Sequence, residues 1–217
     1  MQRIRPRYLP PLPEEPIDSG QAVLRDGTVA VLRLAQPSDS EAFEAFVARL
    51  SPESRRHRFF SESAPPADVL RPLCASSDPR QRMTLIALRD QNGVPRIIGS
   101  GSYFARDATS AEVAFAVDDS LRGHGLGTIL LERLALLAVR HGFTRLWAVT
   151  HADNLAMRDV FEASGFAVQG GQAQIGEILL ANFQNEWQIF GADGLPFLAD
   201  SYEDSMKLYM AQKPMME

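Results

Sequence analysis

No stretch of this chain restricts its fold more than Arg122-Gly123-His124-Gly125-Leu126-Gly127-Thr128, which lies between an apolar run, Ala111 to Val117, and a long amphipathic helical pattern. Glycines at alternate positions remove Cβ atoms where the chain must turn sharply from strand to helix, so backbone N–H groups can close around an anion. The helix that follows points its positive end at the same spot. One helix terminus stabilises an exposed charge by only about 0.3–1 kcal/mol. The loop therefore orients a diphosphate, and neighbouring residues must supply the remaining contacts. Two other glycine loops fit poorly. A dinucleotide fingerprint counted from Gly123 meets Thr128 where its third glycine belongs, and one counted from Gly125 meets Leu130. A Walker loop needs Gly-Lys-Ser/Thr, whereas the only lysines are Lys207 and Lys213.

The text around the loop reads as an antiparallel meander running into a β-α-β unit. Asp26-Gly27 is a hairpin signal and Thr28 to Leu34 alternates like a strand. Ser38 with Glu41 reads as a capping box for a helix whose apolar stripe is Ala42, Phe43, Phe46, Val47 and Leu50, and Ser51-Pro52 starts a second helix through Phe60. Ala64 to Pro79 is interrupted by prolines. Met83 to Leu88 and Arg96 to Phe104 are predicted strands joined through Gln91-Asn92-Gly93, followed by a third strand, Ser110 to Val117. The loop opens a helix to about His141, Arg145 to Thr150 is another strand, and Asp153 to Ser164 is a shorter helix stopped by Gly165, with a strand starting at Phe166. From about residue 170 the pattern is irregular, with closing strands predicted at Glu177 to Ala181 and Ser205 to Tyr209. Residues 1–20 carry five prolines and read as an extended N-terminal extension, leaving 21–217 as a single domain.

Composition narrows the partners. With 45 % hydrophobic residues the chain buries an ordinary core. A net charge of -5 argues against a general nucleic-acid binder, whose affinity rests on many cationic contacts, and suits an amine-bearing or basic substrate. A lone cysteine, Cys74, excludes an intramolecular disulfide and reads as a buried structural thiol. The N-terminus runs into prolines instead of an apolar core, so no secretory signal is expected, and Ile129 to Val139 is too short to span a bilayer. The expected location is cytoplasmic, with no membrane partner. His57, His124, His141 and His151 have no metal-ligand spacing, so no metal is expected. Arg55-Arg56-Arg58 reads as a solvated helix face, with recognition of an acidic partner as the other reading.

On these residues the chain resembles the GCN5-related N-acetyltransferases (GNAT). Arg122-Gly123-His124-Gly125-Leu126-Gly127 looks like the family's Gln/Arg-x-x-Gly-x-Gly/Ala loop, and Asn154-x-Ala156 with Glu162-x-x-Gly165-Phe166 looks like its next conserved helix, over roughly residues 22–168. Leu24-Arg25-Asp26-Gly27, Ala48 to Ser54 and Arg58-Phe59-Phe60 look most like bacterial protein-lysine acetyltransferases, where such a domain is often fused to a cyclic-nucleotide-binding or acyl-CoA-ligase-like partner. Residues 1–20 are too short to hold one. The resemblance implies an α/β (α+β) fold, a mixed and mostly antiparallel sheet flanked by helices. It also implies transfer of an acetyl group from acetyl-CoA to an amine, either a protein lysine or a small molecule. A homodimer is left open, and the alternative function is a non-catalytic acyl-CoA-binding regulatory module.

The same resemblance assigns the pantetheine arm to the backbone of Phe115, Ala116 and Val117, the diphosphate to Gly123, His124, Gly125, Leu126, Gly127 and Thr128 with help from Arg122, and a cofactor contact to Asn154. Acetyl transfer needs a neutral amine, yet a free lysine has a pKa of about 10.4, so a base or a relaying water must act. Glu112 matches the position of the catalytic glutamate in the lysine-acetyltransferase relatives. Strand alternation puts it on one face with Ala114 and Ala116, opposite Val113, Phe115 and Val117. The departure is Phe161, which stands where many members have a tyrosine acid. Water or another residue must then protonate the leaving thiolate, and Tyr103 is a remote substitute.

Overall fold

In the computed structural model, residues 19–164, 167–169 and 173–179 are described, and they fall within one compact unit. Strands β1 (Ser19–Val23) and β2 (Val29–Leu34) form the predicted hairpin across Asp26-Gly27, so β1 begins inside the segment expected to precede the domain. A 3₁₀ turn (Pro37–Asp39) leads into α1 (Ser40–Arg49) and then α2 (Pro52–Phe59). The expected Ser38–Glu41 capping box does not form; the N-cap of α1 is Asp39, which makes no side-chain cap there. Its carboxylate instead closes the preceding 3₁₀ turn, accepting the Gln36 N–H at 2.7 Å and a two-pronged pair from Arg33. Ser51 caps α2 as expected, accepting the Ser54 N–H at 3.1 Å with Pro52 at the first helical position.

The proline-rich segment after α2 contains a helix that its prolines concealed, α3 (Ala67–Cys74). Pro72 inside it removes one helical hydrogen bond, at a cost of about 3 kcal/mol. Leu70, Leu73 and Cys74 are buried against α1, and two leucines at about 1.5–3 kcal/mol each offset that loss. Cys74 is the expected structural thiol: burial pushes it up to about 11.

The meander is β3 (Arg82–Gln91), β4 (Val94–Ala105) and β5 (Ser110–Val117), followed by α4 (Leu126–Arg140), β6 (Arg145–His151), α5 (Leu155–Ala163), β7 (Ala167–Gln169) and β8 (Ala173–Leu179). They build an eight-stranded sheet in the order β1-β2-β3-β4-β5-β6-β8-β7, antiparallel throughout except for the parallel pair β5–β6. This is the mixed, mostly antiparallel sheet that was expected. The expected strand at Ser205 to Tyr209, the irregular stretch around Gly191 to Ala199 and the extension before Ser19 lie outside the described residues.

Helices cover both faces. Ile86, Ile97 and Ala116 pack beneath Phe43, Phe46, Val47 and Leu50 of α1 and its end, with α3 alongside. On the other face α4 lies directly on β4, where Gly101 makes room: a Cβ there would stand 2.8 Å from Leu134 Cδ1. The close seat of α4 fixes where its N-terminus ends, beside the tip of β5.

Candidate active site

Two features of β5 create an opening. Its pairing with β6 runs from Ser110↔Arg145 to Val113↔Ala148 and stops there, while its pairing with β4 continues to Val117. The main chain of Ala114, Phe115, Ala116 and Val117 thus has one edge free of β6, and the first turn of α4 begins just beyond it. Backbone amides on such an edge require a partner, and an extended amide-rich ligand satisfies them as an added strand.

The glycine loop closes the end of this opening. Gly123 and Gly125 have φ of +77° and +89°, values that L side chains rarely adopt, and Gly125 is the N-cap of α4. Among the described residues no acceptor meets the N–H groups of Gly125, Leu126, Gly127 or Thr128, as the start of a helix leads one to expect. A Cβ at Gly123 would meet nothing within 4 Å, so that side of the loop is open. Free amides, a helix N-terminus and open space fit the diphosphate of an acyl-CoA.

The loop is braced from a direction that sequence reasoning missed. The β1–β2 turn reaches it through Arg25, whose N–H donates to the His124 carbonyl at 3.1 Å and whose Nη1 donates to the Gly123 carbonyl at 3.3 Å. His124 turns its ring inward, with Nδ1 2.9 Å from the Arg122 carbonyl and Nε2 3.9 Å from Asp26 Oδ2. Arg122 points away toward α2, where its guanidinium pairs with Asp119 at 2.8 Å and Glu53 at 3.5 Å and donates to the Ser54 hydroxyl. Asp119 is the hub: it accepts the Ser51 N–H at 2.7 Å, the Ser51 hydroxyl at 3.1 Å and the Ser54 hydroxyl at 2.7 Å. Burial pushes its carboxyl up, but those donors and Arg122 outweigh burial and hold it below the usual carboxylate range.

Glu112 forms the last pair but one of the parallel ladder before the opening, opposite Phe104 on β4 and Trp147 on β6. It is half-buried, as is Ala114, while Val113 and Phe115 point into the α4 side. The expected alternation therefore holds. Helix α2 covers this face: its His57 ring lies 5.8 Å from that of His151, and Phe60 lies 4.9 Å from the same ring. The three arginines of α2 do not form a solvated face. Arg55 donates to the carbonyls of Ala48 and Leu50 at the end of α1 and to Glu62, and Arg56 pairs with Asp153 at 2.5 Å. Arg58 lies over the Phe59 ring at 4.8 Å.

Asn154 is the N-cap of α5. Its side chain accepts the Met157 N–H at 3.3 Å and donates to the Thr150 hydroxyl at 3.0 Å, which ties α5 to the end of β6. Phe161 is buried and meets Phe115 edge to face. Tyr103 is fully buried with its hydroxyl donating to the Pro79 carbonyl at 2.6 Å, and burial pushes its pKa far up, so it has no proton to offer a thiolate. The described residues contain no group of three or more His, Cys, Asp or Glu able to hold a metal, and no helix among them is long and apolar enough to cross a membrane.

Fold and site together define a protein that opens a strand edge beside a helix-borne anion loop. Comparison with known proteins names the class: residues 44–166 match the Acetyltransferase (GNAT) family, and the chain belongs to it. It is 33 % identical over 147 residues to an acetyltransferase of Pseudomonas aeruginosa, covering 67 % of this chain and 79 % of that one. The acetyltransferase Pat of Mycolicibacterium smegmatis is 41 % identical over 59 residues, only 27 % of this chain and 18 % of that one. Among solved structures, the GNAT domain of PAT from S. lividans superposes with a TM-score of 0.68 at 28 % identity, covering 76 % of this chain and 99 % of that domain. The protein is an N-acetyltransferase dependent on an acyl-CoA donor.

Proposed function

We propose that this chain moves the acetyl group of acetyl-CoA to a primary amine, with Glu112 drawing the proton from the attacking nitrogen directly or through one water. The observation that carries the reading is the end of the β5–β6 ladder at Val113↔Ala148, which puts Glu112 at the mouth of the opening and the free amides of α4 at its far end. The donor supplies an activated thioester. The edge of Phe115, Ala116 and Val117 aligns its amide arm, and the N–H groups of Gly123 to Thr128 hold its diphosphate. A backbone N–H near Val117 steadies the oxyanion that develops on the acetyl carbonyl. In this reading Arg122 acts through the loop it anchors, and Asn154 acts by fixing where α5 starts.

Family membership sets catalysis ahead of the non-catalytic regulatory module. Protein lysine is the acceptor supported by the likeness of Leu24 to Gly27, Ala48 to Ser54 and Arg58 to Phe60 to bacterial lysine acetyltransferases. The test is Glu112→Gln: acetyl-CoA binding stays within about threefold while amine-dependent release of CoA thiol falls about 10²- to 10⁴-fold. Release that survives the substitution unchanged removes Glu112 from the chemistry.

A further inference from the structure

Helix α2 is seated by polar contacts more than by apolar burial. Of its residues only Ser54 is buried, and Phe59 at its end is partly buried against the core beneath α1. A helix of eight residues has little stability of its own. Arg55 hangs it from the carbonyls of Ala48 and Leu50, and two carboxylates fix its ends. At the first turn Asp119 accepts the Ser51 N–H and the Ser54 hydroxyl, each at 2.7 Å. Toward the last turn Arg56 donates to Asp153 Oδ2 at 2.5 Å, and His57 Nε2 lies 3.2 Å from Oδ1 of the same carboxylate.

The two carboxylates stand at matching places. Asp119 lies two residues beyond Val117, the end of β5, and Asp153 lies two residues beyond His151, the end of β6. These are the strands that part after Val113↔Ala148, and α2 packs on both. At about 1.5 Å per residue, the stretch from Ser51 to Phe60 extends about 13 Å. That length crosses two strands that start about 4.8 Å apart and then separate. The His57 and Phe60 rings rest against His151, so the β6 end is gripped by ring contacts as well as by charge. One short helix thus joins the tips of both strands across the opening.

We propose that α2 is a crossbar that sets the gap between β5 and β6, and that Asp153 is the positioning residue that fixes its β6 end, so that the amide arm of the acyl-CoA donor is laid at the right separation from both strands. This rests on the acyl-CoA reading of the opening and adds the element that sizes it. The Asp153 carboxylate meets only Arg56 and His57 among the described residues, and it touches nothing in the glycine loop that takes the diphosphate. Its action therefore falls on the arm. Its side chain is 58 % exposed, so replacing it removes little folding stability.

Two ligands separate the arm from the rest of the donor: acetyl-CoA, and 3′-phospho-ADP, which carries the diphosphate without the arm. Calorimetric titration of the full chain is expected to show that Asp153→Arg, which repels Arg56, raises the acetyl-CoA dissociation constant about 5- to 20-fold and leaves that of 3′-phospho-ADP within about twofold. Arg56→Asp should do the same from the other side. Combining the two substitutions exchanges the charges and should recover most of the loss, and Asp153→Glu should keep most of the affinity. Equal weakening of both ligands, an unchanged acetyl-CoA affinity in Asp153→Arg, or a loss that the exchange does not recover overturns the crossbar and leaves the donor site standing. A wild-type chain that does not bind acetyl-CoA overturns the donor site, and the crossbar with it.

Discussion

The rings of Phe115 and Phe161 meet edge to face, their centroids 5.9 Å apart and their planes at 85°. Phe161 is only 3 % exposed, so the position where many relatives carry a tyrosine acid is here part of the packing between β5 and α5. If no other residue takes the place of that acid, the leaving thiolate draws its proton from water, and a thiol of pKa about 8.5 leaves adequately without help. The consequence is visible in pH dependence. A catalytic acid must be protonated, so its presence gives a rate that falls above its pKa. With none, kcat should rise with pH as the amine deprotonates and show no fall up to pH 10. A falling basic limb in steady-state assays between pH 6 and 10 shows that another acid serves the site.

Gly125, at φ +89°, combines a left-handed conformation that only glycine adopts without strain with the N-cap of α4. Two substitutions separate the effects. Alanine adds only the backbone penalty, about 1–2 kcal/mol, and should lower the melting temperature while weakening acetyl-CoA binding less than tenfold. Glutamate adds a negative charge where the diphosphate belongs and should abolish binding. Calorimetric titration with acetyl-CoA checks both, and an unchanged affinity in Gly125→Glu removes the loop assignment.

Arg25 tests whether the loop needs its brace. Its side chain holds the Gly123 carbonyl at 3.3 Å from an exposed position, so removing it costs little folding stability. The freed loop must then be ordered by the ligand, which reduces affinity. Arg25→Ala should raise the acetyl-CoA dissociation constant about 3- to 10-fold with the melting temperature within 2 °C or so. A large drop in stability instead shows that the hairpin serves the fold rather than the loop.

How much was readable in the sequence follows from how local each signal is. The turn at Gly123 to Thr128, the strand Ser110 to Val117 and the cap at Ser51 depend on neighbours in the chain, and all are found where the residues place them. Helix α3 was hidden because its two leucines repay Pro72 only through burial against α1, a tertiary effect. The roles of Arg25 and Asp119 were hidden for the same reason. The Arg25 side chain acts on Gly123, 98 positions away, and Asp119 on Ser51 and Ser54, 68 and 65 positions away, and Asp119 in sequence is one acid of a pair beside Asp118.

Asp119 links the start of α2 to Arg122 at the head of the glycine loop, so its titration should loosen both. Its folded carboxyl is held below the value near 3.8 that it has when free, because the donors of Ser51, Ser54 and Arg122 outweigh burial. A carboxyl depressed in the folded state contributes stability that is complete above its unfolded pKa and is lost as pH falls through the folded one. Asp107, where four N–H and O–H donors from Thr109 and Ser110 overcome burial to hold the carboxyl at about 2, adds to the same window. The protein should therefore lose stability between pH 4 and about 2, with little contribution from these groups above pH 5. Asp119→Asn keeps the size and removes the charge, and should cost about 1–3 kcal/mol at pH 7 while flattening part of the acid slope. Urea unfolding at pH 3, 5 and 7 measures it: a variant whose stability falls as steeply as the wild type below pH 4 shows that Asp119 is not the group being protonated.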